Sequence, residues 1–151
     1  MTAPPPFRLE TVLDVRRHER DVARRKLADG LRHADHLARR QESLHAERRQ
    51  QLDEMQALLK NPKVDVDAVI RRRTAASQLL AELRQVEWER RTFAKQLERL
   101  RAALIEADQK VHALEKLRAR RERAWQHHAL QVEQRELEEA WQGIRQASES
   151  P

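Results

Sequence analysis

The 151-residue chain is predicted to be all-α: a long antiparallel two-helix coiled-coil hairpin with an overhanging second helix. Three observations predict this. First, Leu79, Leu83, Val86, Arg90, Phe93, Leu97, Leu100, Leu104, Ala107, Val111 and Leu114 step alternately by four and three residues, and ten of these eleven positions are apolar. An apolar repeat every 3.5 residues stays on one side of a helix only when the helix supercoils around a partner. Second, a single short break interrupts the helical pattern, from Lys60 to Asp67, and it holds the only internal proline, Pro62. Third, charged residues make up 37% and aromatic residues 3% of the chain, with two glycines and no tyrosine. That is the Ala/Glu/Arg/Leu bias of long helices, and the alternating β-branched runs that a sheet needs do not occur.

The elements follow in order. Residues 1–6 read as a disordered or polyproline lead-in, because Pro4, Pro5 and Pro6 favour an extended chain. Residues 7–59 form the first coiled-coil helix. The same four-and-three stepping from Leu13 to Leu58 selects fourteen positions there, of which eight are clearly apolar, so this stripe is weaker than the second. Residues 60–66 form the turn. Pro62 removes a backbone donor and pushes Asn61 out of the α region, while Asp65 or Asp67 can cap the next helix. So short a connection joins antiparallel neighbours. Residues 67–147 form the second coiled-coil helix, and 148–151 a frayed tail.

At about 1.5 Å per residue the first helix spans roughly 80 Å and the second roughly 120 Å. Folding about Pro62 brings Phe7 beside the region of Leu117 and leaves the chain beyond roughly Arg120 without a partner helix. This overhang carries Trp125, Leu130, Val132, Leu137, Trp141 and Ile144, of which Leu130, Leu137, Trp141 and Ile144 fall close to a seven-residue repeat. An exposed apolar stripe calls for cover. Another protein, an extended N-terminal segment or a second copy of the chain would each supply it.

The net charge of +6 is unevenly placed. From Gln126 onward five acids (Glu133, Glu136, Glu138, Glu139, Glu149) stand against Arg135 and Arg145, so this part is −3 and the rest +9. Arginine pairs and triplets such as Arg71-Arg72-Arg73 could track phosphates. Acids interspersed at helical spacing and the lack of interleaved aromatic platforms read better as a solvated helix face, so nucleic acid is not expected as the main ligand.

The residues for catalysis are not assembled. Without cysteine there is no disulfide, thiolate site or thiol nucleophile. Gly30 and Gly143 are far apart in helical sequence, unlike a phosphate-cradling loop. Glu42 and His45 have the Glu-x-x-His spacing of carboxylate-bridged metal bundles, but no second copy exists. His33, His36, His127 and His128 read as solvated surface groups. No enzyme activity, cofactor or metal is expected. No stretch approaches the roughly 18 apolar residues of a membrane span, and a soluble, cytoplasmic protein is expected.

Three segments carry a resemblance: Phe7-Arg8-Leu9-Glu10-Thr11-Val12-Leu13, Val111-His112-Ala113-Leu114-Glu115-Lys116-Leu117, and Glu133-Gln134-Arg135-Glu136-Leu137-Glu138-Glu139. Nearly the whole chain resembles the flagellar export protein family FliJ, with Glu138 where the family often has aspartate. The resemblance implies a stalk-like component of the flagellar type III export apparatus, located in the cytoplasm and peripheral to the inner membrane at the flagellar base. Its partners would be the export ATPase FliI, the export gate FlhA and flagellar export chaperones. The ATPase-binding residues would be Phe7, Leu9, Leu13, Trp125, Gln134, Leu137, Glu138, Glu139 and Trp141; the gate-binding residues would be Ala75, Leu79, Glu82 and Val86. Two other readings stay open: the equivalent stalk of an injectisome-type system, and an unrelated coiled-coil scaffold or basic nucleic-acid-binding rod.

Overall fold

The structure is a computed structural model that describes residues 3–150; Met1 and Thr2 of the expected lead-in and Pro151 of the expected tail lie outside the described residues. It is an all-α helical hairpin of two long helices packed against each other, α1 (Glu10–Leu59) and α2 (Val66–Glu149), with no strand among the described residues.

The helix ends differ from the expected bounds by a few residues, for local reasons. Helix α1 begins at Glu10 rather than at 7, because the chain leaves the proline run through a turn in which the Glu10 N–H donates to the Phe7 carbonyl at 3.0 Å. Helix α2 begins at Val66 rather than at 67, because Asp65 is the cap. Its Oδ1 accepts from the Ala68 N–H at 3.2 Å and its carbonyl from the Val69 N–H at 3.1 Å, satisfying donors that a helix start leaves open. The turn is therefore 60–65. At the other end α2 runs to Glu149, and the Ser148 hydroxyl donates to the Arg145 carbonyl in the last turn.

The chain divides into two compact units, Asp21–Ile105 and Met1–Arg20 with Glu106–Pro151. In the first, Arg72 pairs with Glu54 at 2.8 Å, Arg40 with Glu82 at 3.0 Å, Arg90 with Gln41, and the rings of His33 and Phe93 meet edge to face at 4.6 Å. From Glu54–Arg72 through Arg40–Glu82 to His33–Phe93 the partner numbers rise on α2 as they fall on α1, so the helices run antiparallel. Leu44, Leu83 and Val86 form the buried cluster, with Leu79 packed against it and Leu37 and Ala76 also buried. Each large aliphatic side chain buried in this way contributes about 1.5–3 kcal/mol.

The weaker first stripe is nevertheless the inner face of α1. None of its fourteen positions is exposed, although Arg16, Arg20, Gln41, Arg48 and Gln51 are among them. Long polar side chains manage this by laying their stems along the apolar surface while the polar ends reach its edge. Arg90, the one exposed position of the second stripe, donates to the Gln41 carboxamide oxygen, a polar position of the first. Polar seam positions that satisfy each other favour one axial register over a slip by a heptad.

At Gly30, a buried seam position, any added side chain would push aside the ends of neighbouring leucines. A Cβ there would lie 2.9 Å from Leu100 Cδ1 and 3.3 Å from Leu97 Cδ1. Glycine in a helix interior costs about 1 kcal/mol relative to alanine. Here it lets Phe93, Leu97 and Leu100 approach the α1 backbone.

In the second unit, Leu13 and Val111 are the fully buried residues. Arg17 pairs with Glu115 at 3.3 Å and Arg118 with Glu10 at 3.4 Å. These bridges are half-exposed, and pairs of this kind are worth under about 1 kcal/mol each. Their order along the two helices is again antiparallel.

Candidate functional site

The unit of Met1–Arg20 with Glu106–Pro151 holds the expected ATPase-facing residues, and the structure separates them into two groups. Phe7, Leu9, Leu13 and Trp125 belong to packing. The Phe7 ring lies under the Arg121 guanidinium, 5.6 Å from its centroid, close enough for a cation–π attraction. Pro4, Pro5 and Pro6 continue beyond Phe7 and line a groove with Arg118, Arg121, Glu122 and Trp125. Trp125 is consequently half-buried rather than part of a bare overhang. Rigid prolines fit an aromatic and its flanking arginines because little chain entropy is lost in holding them there. Leu13 is 0% exposed, so its side chain is core and offers nothing to a partner in this conformation.

Gln134, Leu137, Glu138, Glu139 and Trp141 form the second group, and all are exposed. From Gln126 to Ser150 every residue except Ala129 is exposed, including Leu130, Ile144, Leu137 at 65% and Trp141 at 71%. The unpartnered segment therefore starts at Gln126, about one and a half turns later than helix lengths alone indicated. The reason is the proline run, which extends the cover of α2 past the start of α1.

The expected gate-facing residues lie in the unit Asp21–Ile105. Val86, 7% exposed, is in the core cluster, and Leu79 packs against that cluster and is half-buried. Ala75 is half-buried. Glu82 alone of the four is exposed, at 3.0 Å from Arg40 across the helix pair. The heptad stepping that places Leu79 and Val86 on the seam is also what buries Val86 and half-buries Leu79.

Sequence reasoning did not single out the exposed aliphatic residues around the turn, Leu59, Val64, Val66 and Ile70, or the exposed Trp88 and Ile105. The signal was available. Ile70, Trp88 and Ile105 fall outside the four-and-three stepping, and an apolar residue off the seam must face outward.

Among the described residues, no group of three or more histidine or acidic side chains is placed to hold a metal ion, and no helix is long and apolar enough to cross a membrane. His33 lies against Phe93, and the His127 ring is bonded to Gln131 one turn on.

Two helices paired in opposite directions over matched stripes, with α2 continuing alone past Trp125, are the architecture on which the family comparison bears. The family model described as flagellar FliJ protein matches residues 6–148. The chain belongs to the FliJ family. No curated protein and no solved structure matches it significantly. Membership of the FliJ family makes this chain a component of the flagellar protein export apparatus. The family match takes in both residue groups of the candidate ATPase-facing surface and the gate-facing set.

Proposed function

We propose that this FliJ-family chain is a non-enzymatic, stalk-like component of the flagellar type III export apparatus. In this reading the distal part of α2 enters the ring of the export ATPase FliI, and the start of α2 faces the export gate FlhA. The chain also serves flagellar export chaperones and works in the cytoplasm, peripheral to the inner membrane at the flagellar base. The observation that carries the reading is the segment from Gln126 onward. It is helical to Glu149, has no intramolecular partner helix, and exposes Leu130, Leu137, Trp141 and Ile144.

Of the residues expected to meet the ATPase, Gln134, Leu137, Glu138, Glu139 and Trp141 make contact directly in this proposal. Phe7, Leu9, Leu13 and Trp125 act by holding the helix from which they project. For the gate, Glu82 and the exposed edge of Ala75 are the contact points, while Leu79 and Val86 keep α2 in register. A helix whose sides differ in charge and apolarity binds the subunits of a ring unequally. Such differential contact with ring states is what any bias on assembly or sequential hydrolysis requires.

The test is ATP hydrolysis and ring assembly by the cognate FliI-type ATPase with the full chain and with a chain ending at Trp125. Stimulation by the full chain that is lost on truncation is the expected result. No stimulation and no co-elution, with both proteins folded, would overturn the proposal.

A further inference from the structure

In the unit Asp21–Ile105, Trp88 stands on the side of α2 opposite the seam and is 57% exposed. Arg84, Trp88, Arg91, Lys95 and Arg99 follow one another at steps of four, three, four and four residues, so they form one ridge with a side chain on each turn, and all five are exposed. At about 1.5 Å per residue the ridge is roughly 22 Å long. Among the described residues none of its cations has an ion-pair or hydrogen-bond partner, whereas Arg32 and Arg39, on the outer face of α1, are paired with Asp29 and Asp35 at 2.7 and 3.0 Å.

The acids of this stretch of α2 lie to the sides. Glu87 and Glu98 border the ridge on one flank, Glu82 and Glu89 on the other. Glu98 is held by Arg101 at 2.9 Å and Glu82 by Arg40 at 3.0 Å, while Glu89 accepts from the Gln85 carboxamide at 3.2 Å. The crest is therefore cationic and its flanks are not.

That charge map suits a flat anionic surface. A helix laid in a nucleic-acid groove has phosphates along both flanks, where the border acids would meet them. Two copies joined ridge to ridge would set cations against cations. A protein helix packs through an apolar stripe, and the ridge offers one large apolar side chain, Trp88. A bilayer with anionic headgroups touches the crest alone, attracts the cations near its surface, and accommodates an indole between water and lipid.

We propose that the ridge of Arg84, Trp88, Arg91, Lys95 and Arg99 lays this part of the hairpin edge-on against an anionic lipid bilayer, with Trp88 in the headgroup layer and α1 on the side away from it. Four cations and one indole give reversible, salt-sensitive adsorption rather than an anchor. None of the residues proposed to meet the ATPase or the gate lies on the ridge, so this contact goes beyond the proposed function and does not depend on it.

The test is sedimentation of the full chain with vesicles of phosphatidylcholine alone and of phosphatidylcholine with phosphatidylglycerol in equal parts. Binding to the anionic vesicles only, released by added salt, is the expected result. Arg84→Gln with Arg91→Gln should weaken it by roughly tenfold or more, since each cation near an anionic surface is worth about fivefold. Arg32→Gln with Arg39→Gln removes the same charge from the outer face of α1 and should leave binding in place. In a Trp125→Phe, Trp141→Phe background, anionic vesicles should move the Trp88 emission to shorter wavelength. Equal binding to both vesicles, binding to neither by a chain that circular dichroism shows folded, an equal effect of the two arginine pairs, or an unmoved Trp88 emission would each overturn the proposal. So would a DNA duplex bound at least as tightly as the anionic vesicles, or self-association by light scattering that Arg84→Gln with Arg91→Gln dissolves.

Discussion

Leu44→Ala and Leu137→Ala remove the same atoms from two helices of one chain, and the structure assigns them opposite consequences. Leu44 is 0% exposed and packs in the cluster with Leu83 and Val86; Leu137 is 65% exposed and lies beyond the last intramolecular cover. Emptying a buried leucine site costs about 2.7–5 kcal/mol, the lower values applying where the surroundings can close in. A two-helix seam has solvent on both sides and closes readily, so about 3 kcal/mol is expected for Leu44→Ala. For a chain of this size that lowers the thermal midpoint by roughly 6–12 °C. Leu137→Ala loses little buried area and gains slightly in helix propensity, so its stability should change by less than about 0.5 kcal/mol. Far-UV circular dichroism against urea and temperature reads both. ATPase co-elution should show the reverse order, with Leu137→Ala the more damaging once Leu44→Ala is studied well below its midpoint. A stability loss for Leu137→Ala near that of Leu44→Ala would refute the reasoning, because the distal stripe would then be core in a self-assembled form.

Three further outcomes follow from local geometry. Asp65→Ala should cost about 1 kcal/mol by removing the cap on the Ala68 N–H, with little change in total helicity; an unchanged urea midpoint would show that the turn needs no cap. Gly30→Leu should lower stability by about 1–2 kcal/mol, since overpacking against Leu97 and Leu100 exceeds the gain in helix propensity; a stabilised variant would mean that the helices do not approach closely there. In a Trp88→Phe, Trp141→Phe background, deleting residues 1–6 should shift the Trp125 emission to longer wavelength while α2 stays helical, and an unchanged spectrum would place Pro4–Pro6 elsewhere than beside Trp125.

The amino-acid sequence alone determined which residues of each helix turn inward. Apolar positions recurring at 3.5-residue intervals define a face whatever the partner, and Pro62 with Asp65 defines where the chain reverses. Periodicity says nothing about axial register, since a slip of one heptad keeps the same two faces turned inward. Only the tertiary structure decided that Arg90 meets Gln41, that Gly30 receives Phe93, Leu97 and Leu100, and that Arg118 meets Glu10. It also decided which expected contact residues are accessible. Leu13 and Val86 are buried because the seam that made them recognisable also encloses them, and Trp125 is partly covered because three prolines too short to show a repeat lie beside it. Gln134, Leu137, Glu138, Glu139 and Trp141 stay open for the converse reason: α1 and the proline run end before reaching them, and an unpaired helix buries nothing.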